Sequence, residues 1–235
     1  MKRPFDLITF DFDGVLLHNN YTDSFFQTCR DAGLTWPSER EPHLMRFIHD
    51  YFGNGQSRKD TEEYGRANFW LVANRRFLEA LFATGNLDKA IITLTERLQK
   101  MEVVYFYETG VHELLDTLKT EGYRIAMLTN RDDHIHEFAA DWDLIEPFEF
   151  IATRDTVGKP KPYPDVYHHL NKMFAIPPHR ALHIGDNPYA DVSGANAAGW
   201  HSILIDPDNL FPDWDVPRIS TVHDLLEWLG SVKNN

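Results

Sequence analysis

Cysteine is almost missing from this chain: Cys29 is the only one among 235 residues. One thiol forms neither an intrachain disulfide nor a cysteine-built zinc cluster, and the scarcity suits a reducing cytosol. Positive charge is also short, with 23 Lys+Arg against 36 Asp+Glu and a formal net charge of −13. Such a surface repels phosphate backbones and anionic headgroups, which excludes nucleic acid and membrane as electrostatic partners. Long apolar runs are lacking too: no segment approaches the roughly 18 residues that cross a bilayer. Met1-Lys2-Arg3-Pro4-Phe5 leads directly into a strand-like run, without the apolar stretch and cleavage site of a secretion signal. A cytoplasmic protein is therefore expected. Apolar side chains are plentiful at 43%, with 16 Phe, 9 Tyr and 6 Trp, enough for a globular core in one large domain or two small ones.

The chain changes rhythm twice, and neither a repeat nor a low-complexity tract interrupts it. Phe5–Phe10 is a short apolar run ending at Asp13-Gly14, the pattern of a buried strand followed by a turn. From about Tyr21 to Met101 the apolar residues fall at helical spacing, as in Phe25, Phe26 and Cys29 or Ile91, Leu94 and Leu98. Breaks at Gly33, Trp36-Pro37, Gly53-Asn54-Gly55 and Gly85-Asn86 divide this stretch into about four helices. After Tyr107 helix and strand alternate, with strands at Arg124–Leu128, Phe148–Ala152, Ala181–Ile184 and Ser202–Ile205. Alternation of this kind predicts an α/β core with a parallel sheet, helices on both faces and a ligand site at the carboxyl ends of the strands. The expected division is 1–17 with 107–235 as this core, and 18–106 as an inserted helical domain. Charge divides unevenly as well: residues 18–106 hold 11 basic and 12 acidic side chains, and the remainder 12 and 24.

Polar groups cluster where the predicted strands end. Asp11 and Asp13 follow the first strand, Thr129-Asn130 the second, Lys161 lies beyond the third, and Asp186 follows the fourth. Three aspartates in one cleft repel each other unless a hard cation lies among them, and an all-oxygen ligand set favours Mg²⁺ over zinc. Lysine, threonine hydroxyl and backbone amides suit phosphoryl oxygens, so the chemistry indicated is phosphoryl transfer. One aspartate would serve as nucleophile, and a second, two residues on, would protonate the leaving oxygen and later activate water.

Asp11-Phe12-Asp13-Gly14-Val15-Leu16 resembles the first motif of the haloacid dehalogenase superfamily. Leu128-Thr129-Asn130 resembles its second motif, Lys161-Pro162-Tyr163-Pro164-Asp165 its lysine motif, and Gly185-Asp186 through Asp191 its acidic fourth motif. The resemblance implies a Rossmann-like core of five or more strands, with the helical insertion in the position of a type 1 cap. It further implies Asp11 as nucleophile and Mg²⁺ ligand, and Asp13 as general acid/base that binds the metal through its backbone carbonyl. Asp186 would be the third metal ligand, and Thr129 and the Asn130 amide would bind the phosphoryl group. Lys161 would bridge nucleophile and phosphate, and Asp191 would orient the lysine or a metal-bound water. In Gly158-Lys159-Pro160-Lys161 either amine could reach in; the proline-aspartate context favours Lys161. Family dehalogenases lack an aspartate at the position of Asp13, so the resemblance implies a Mg²⁺-dependent phosphatase of a small phosphorylated metabolite, with a phosphosugar mutase as the alternative. Phosphoglycolate, a nucleoside monophosphate and a sugar phosphate all remain open as substrates. Val15 stands where the family usually has threonine, and His18-Asn19 departs from its usual acidic residue and serine.

Outside the motifs, His18 near the expected cap hinge is a candidate substrate contact. The other histidines, His183 among them, form no metal-ligand spacing and read as surface or packing residues. Gly53–Lys59 reads as a flexible polar loop, and Arg75-Arg76 as a solvated helix face. A receiver domain also gathers aspartates, Mg²⁺, threonine and lysine, but the chain length and the helical insertion argue against it. Nothing in the sequence separates monomer from homodimer.

Overall fold

The computed structural model describes residues 3–108 and 110–233. Met1 and Lys2 of the N-terminal segment lie outside the described residues. The chain forms two compact units, Met1–His18 with Tyr107–Asn235, and Asn19–Phe106.

The first unit contains β1 (Leu7–Phe10), α6 (Val111–Thr120), β4 (Arg124–Leu128), α7 (Ile135–Ala140), β5 (Phe150–Ala152), α8 (Asp165–Phe174), β6 (Ala181–Gly185), α9 (Ser193–Ala197), β7 (His201–Ile205), β8 (Arg218–Ile219) and α10 (Asp224–Lys233). Six strands form one sheet in the order β5-β4-β1-β6-β7-β8, and every pairing is parallel. The strands are apolar on both faces because both are covered. Ile8, Phe10, Ile125, Met127 and Ile184 pack with α6, α7 and α10, while Leu7, Ala126, Leu128 and Ala181 pack with α8 and α9. The chain runs outward from β1 through β4 to β5, then returns to place β6 on the other side of β1. That reversal is the switch point at which parallel sheets open a crevice beyond their carboxyl ends.

The second unit is helical: α1 (Tyr21–Asp31), α2 (Arg40–Gly53), α3 (Gln56–Tyr64), α4 (Phe69–Ala80) and α5 (Leu87–Lys100). The chain leaves and rejoins the first unit through β2 (Leu17–Asn19) and β3 (Tyr105–Tyr107), which pair with each other. Its core is aromatic and aliphatic, with Phe25, Leu44, Tyr51, Phe77, Leu78 and Leu94 buried together.

Several expectations need correction. The helical stretch holds five helices rather than about four, because Gln56, Ser57, Arg58 and Lys59 open α3 instead of extending the loop. Gly55, at φ 86°, confines the left-handed turn to one residue and lets the helix start at once. Arg76 is not on a solvated face. Its guanidinium donates to both oxygens of Asp60 at 2.6 and 2.8 Å, and Asp60 is fully buried. Tyr51 and Gln56 also donate to Asp60, at 2.9 Å each, so four donors satisfy a carboxylate that no pattern of apolar spacing predicts. Arg75 does stand exposed, paired with Asp88. Among the described residues, no helix is long and apolar enough to cross a membrane.

Candidate active site

β1, β4 and β6 lie side by side, and the polar groups follow their carboxyl ends. Asp11 continues β1: its N–H donates to Ile184 O at 2.8 Å, and its carboxylate accepts from the Phe12 N–H at 2.7 Å. Thr129 continues β4 in the same way, donating its N–H to Ala152 O at 2.9 Å. Asn130 then joins this loop to the one carrying the lysine. Its Oδ1 accepts from the Lys161 N–H at 2.7 Å, and its Nδ2 donates to Lys161 O at 3.1 Å.

With its backbone held this way, Lys161 spends its ammonium on Leu128 O at 2.9 Å, Asp11 Oδ1 at 3.0 Å and Asp191 Oδ1 at 2.6 Å. An ammonium has three donors, and all three are used. The Lys161 side chain is only 1% exposed. Lys159 instead pairs with Asp165 at 2.7 Å on the surface. Of the two amines, Lys161 is the one that meets the strand-end carboxylates.

Burial sets the electrostatics of this cluster. It pushes the Asp11 carboxyl up to about 7, against the pull of Lys161. Asp186 is raised well above the usual carboxylate range by burial, and further by Asp11 and Asp191. Burial acts on Asp191 in the same sense, but Lys161 and the hydrogen bond from His183 outweigh it and hold this carboxyl low. Burial also disfavours the charge on Lys161, yet Asp11 and Asp191 together raise its pKa.

Asp11, Asp186 and Asp191 each present an oxygen, all within 4.8 Å of one another. These three carboxyls outnumber the one ammonium of Lys161, and burial with mutual repulsion disfavours the charge on Asp11 and Asp186 unless a metal cation lies among them. Among the described residues, neither a hydrogen bond nor an ion pair holds the Asp186 carboxylate. The donor set and its surplus of carboxyls fit a hard divalent cation. Asp191 is the least available ligand, since Lys161, His183 and the Asn187 N–H already engage its oxygens. Two glycines admit this crowding. A Cβ on Gly14, at φ +74°, would lie 2.0 Å from Asp186 Oδ2, and one on Gly185 would lie 2.2 Å from Asp191 Cγ.

Asp13 sits in the same unit with a different partner. Arg131 donates to both of its oxygens, Nε at 2.8 Å and Nη2 at 2.6 Å. A cleft of about 580 Å³ opens in front, lined by Asp11, Asp13, Thr129, Asn130, Arg131, Phe138 and Arg154 among others. His18 is not in this lining; its Nε2 lies 2.7 Å from Glu108 Oε2.

Sequence patterns gave no sign of Arg131 or of the chain of groups beneath the lysine. The parallel register sets Thr9 beside His183, whose Nδ1 lies 2.8 Å from the Thr9 hydroxyl and whose Nε2 lies 3.1 Å from Asp191 Oδ1. Burial lowers the His183 pKa below its ordinary value and so disfavours the charged ring. An ionised Asp191 can only accept, which places a proton on Nε2; the Thr9 hydroxyl faces Nδ1 and also lies 3.4 Å from Leu182 O. His183 is fully buried, and burial alone does not account for these bonds. The available signal was one imidazole in an otherwise apolar strand, Ala181–Gly185.

Fold and site together define a doubly wound α/β protein with an acidic, lysine-braced centre at its switch point. The sequence model of the haloacid dehalogenase-like hydrolases matches residues 5–199, and the chain belongs to that family. A Xenopus laevis haloacid dehalogenase-like hydrolase domain-containing protein 3 is 32% identical over 130 residues, 54% of this chain and 53% of that protein. The chain thus spans about half the length of that relative. A phosphoglycolate phosphatase of Nitrosococcus oceani is 34% identical over 213 residues, 87% of this chain and 85% of that one. Among solved structures, a subfamily IA hydrolase of the superfamily from Geobacter sulfurreducens superposes with a TM-score of 0.58. It shares 22% identity, with 97% of each chain covered, and this likeness concerns the fold.

Proposed function

We propose that the protein is a Mg²⁺-dependent phosphatase that hydrolyses a small phosphomonoester through an aspartyl-phosphate on Asp11. The observation that carries this reading is the buried array Asp11–Lys161–Asp191 at the sheet's switch point, facing an open cleft. An Asp11 oxygen attacks phosphorus. As the Asp11 O–P bond forms, the bond to the leaving oxygen breaks and Asp13 gives that oxygen a proton. Asp13 then takes a proton from water while the water oxygen attacks phosphorus, which frees Asp11 and inorganic phosphate. Lys161 stays charged through both steps, braced by Asp191, and balances charge on the phosphoryl oxygens. The Thr129 hydroxyl and the Asn130 amide bind the remaining oxygens. Mg²⁺, when held by the Asp11 and Asp186 carboxylates and the Asp13 carbonyl, supplies further positive charge to the phosphoryl group.

The helical unit is assigned the role of cap from its insertion after the first motif, and the cytoplasm is the assigned compartment. The 34% identity to a protein named phosphoglycolate phosphatase supports phosphomonoester chemistry and leaves the particular ester open. The test is a panel of phosphomonoesters scored by release of inorganic phosphate. Release should vanish in Asp11→Asn and on chelation of the metal, and release that survives both overturns the mechanism. Conversion of a phosphosugar to its isomer without free phosphate would make the protein a mutase.

A further inference from the structure

Asp13 has a half-exposed side chain in a turn, and a carboxylate in that setting ordinarily samples several rotamers. Here the planar fork of Arg131 takes both of its oxygens, at 2.8 and 2.6 Å. The arginine is itself restrained: its guanidinium carbon lies 5.2 Å from the Phe12 ring centre and 4.9 Å from that of Phe138. Its N–H bonds the Thr129 hydroxyl oxygen at 3.2 Å, and its carbonyl accepts from the Arg154 N–H at 3.1 Å. An ordinary surface ion pair has none of this support and contributes little. A bidentate fork fixes direction as well as distance.

We infer that Arg131 is a positioning residue that aims the Asp13 carboxyl at the leaving-group oxygen, an assignment that rests on the phosphatase reading. Arg131 directly follows Thr129 and Asn130, so the loop that would bind the phosphoryl group also carries the clamp for the proton donor. The distance between donor and phosphoryl site is thereby set within one turn of chain. Each carboxylate oxygen keeps a second lone pair beyond the fork, so the proton can leave from the far side. When Asp13 hands its proton to the leaving oxygen, the P–O bond breaks and the carboxylate that remains already faces a guanidinium.

The test compares two substrates on the intact chain with its metal. p-Nitrophenyl phosphate has a leaving group that departs without a proton, and glycerol 3-phosphate has one that needs it. Loss of aim by about 1 Å costs on the order of 100-fold in a proton transfer. Arg131→Met should therefore lower kcat/KM for glycerol 3-phosphate about 100-fold, with a loss on the aryl ester at least tenfold smaller. Arg131→Lys, which keeps charge without the fork, should fall between. In an Asp13→Asn background, adding Arg131→Met should cost nothing more on glycerol 3-phosphate. Equal losses on the two substrates would mean phosphate binding or a purely structural role, and overturn the assignment. Losses that multiply in the double variant overturn it too. If the unsubstituted protein turns over both esters, such a result refutes the Arg131 assignment alone; if it releases phosphate from no member of the phosphomonoester panel, the phosphatase reading falls with it.

Discussion

Replacing Lys161 by methionine removes one charge and little volume, and the geometry around the ammonium makes that loss expensive. The ammonium is 1% exposed and lies between carboxylates at 3.0 and 2.6 Å, one of them, Asp191, equally buried. Its loss leaves Asp191 with only the His183 Nε2–H and the Asn187 N–H, two neutral donors for a buried charge. Breaking a buried pair on one side costs about 3–5 kcal/mol. For a chain of this size each kcal/mol moves Tm by roughly 2–4 °C, so the chelator-treated Lys161→Met protein should melt about 6–20 °C below the parent. Phosphate release should fall about 10²–10³-fold or more, the cost of losing one preorganised charge donor. Asp191→Asn added to Lys161→Met should recover part of the stability and none of the activity, because it removes the stranded charge without restoring the cation. Lys159→Met is the matched control, since its partner Asp165 is exposed and the pair contributes about 0–1 kcal/mol. Differential scanning calorimetry and phosphate release on the four proteins decide the matter. A Lys161→Met protein with parental Tm, or an activity loss confined to Lys159→Met, would refute the reasoning.

The same geometry sets three further outcomes. Gly185→Ala puts a Cβ 2.2 Å from Asp191 Cγ and must push that carboxylate off the lysine; kcat should drop about 100-fold, which steady-state kinetics will show. Arg76→Met strands the fully buried Asp60 and should cost about 3 kcal/mol by urea unfolding. For Asp60, burial raises the carboxyl pKa, but hydrogen bonds from Arg76, Gln56 and Tyr51 outweigh it, so the folded pKa lies below the ordinary 3.8. That stabilisation is complete above the unfolded value and fades as pH falls below it, so the gap between parent and Arg76→Met should narrow below about pH 4. His183→Leu leaves Asp191 one donor short and takes away the ring nitrogen that faces the Thr9 hydroxyl; Tm should fall by several degrees and kcat by about tenfold, while His183→Gln restores part of both.

Much of this protein is legible in its residue order. Asp11, Thr129 and Asp186 stand at strand ends because apolar runs stop there, and a parallel sheet brings such ends together whatever else the chain does. The helical insertion shows in the 3.6-residue spacing of Phe25, Cys29, Leu94 and Leu98, all of them buried. Short or polar elements are less visible. α3 has one buried residue, Asp60, and β8 spans two residues, so neither carries a periodic apolar signal.

Only the tertiary structure decides which charge meets which. Arg131 and Asp13 are 118 positions apart, Asp60 and Arg76 belong to different helices, and Thr9 reaches His183 across a sheet register. Lys159 and Lys161 lie two positions apart, yet one faces the surface and the other the buried carboxylates, because Asn130 pins the backbone of the second. Apolar burial is non-directional and is written along the chain as a pattern of residue types, whereas ion pairs and hydrogen bonds need distances of about 3 Å and defined angles, which exist only once the sheet has set its strands side by side.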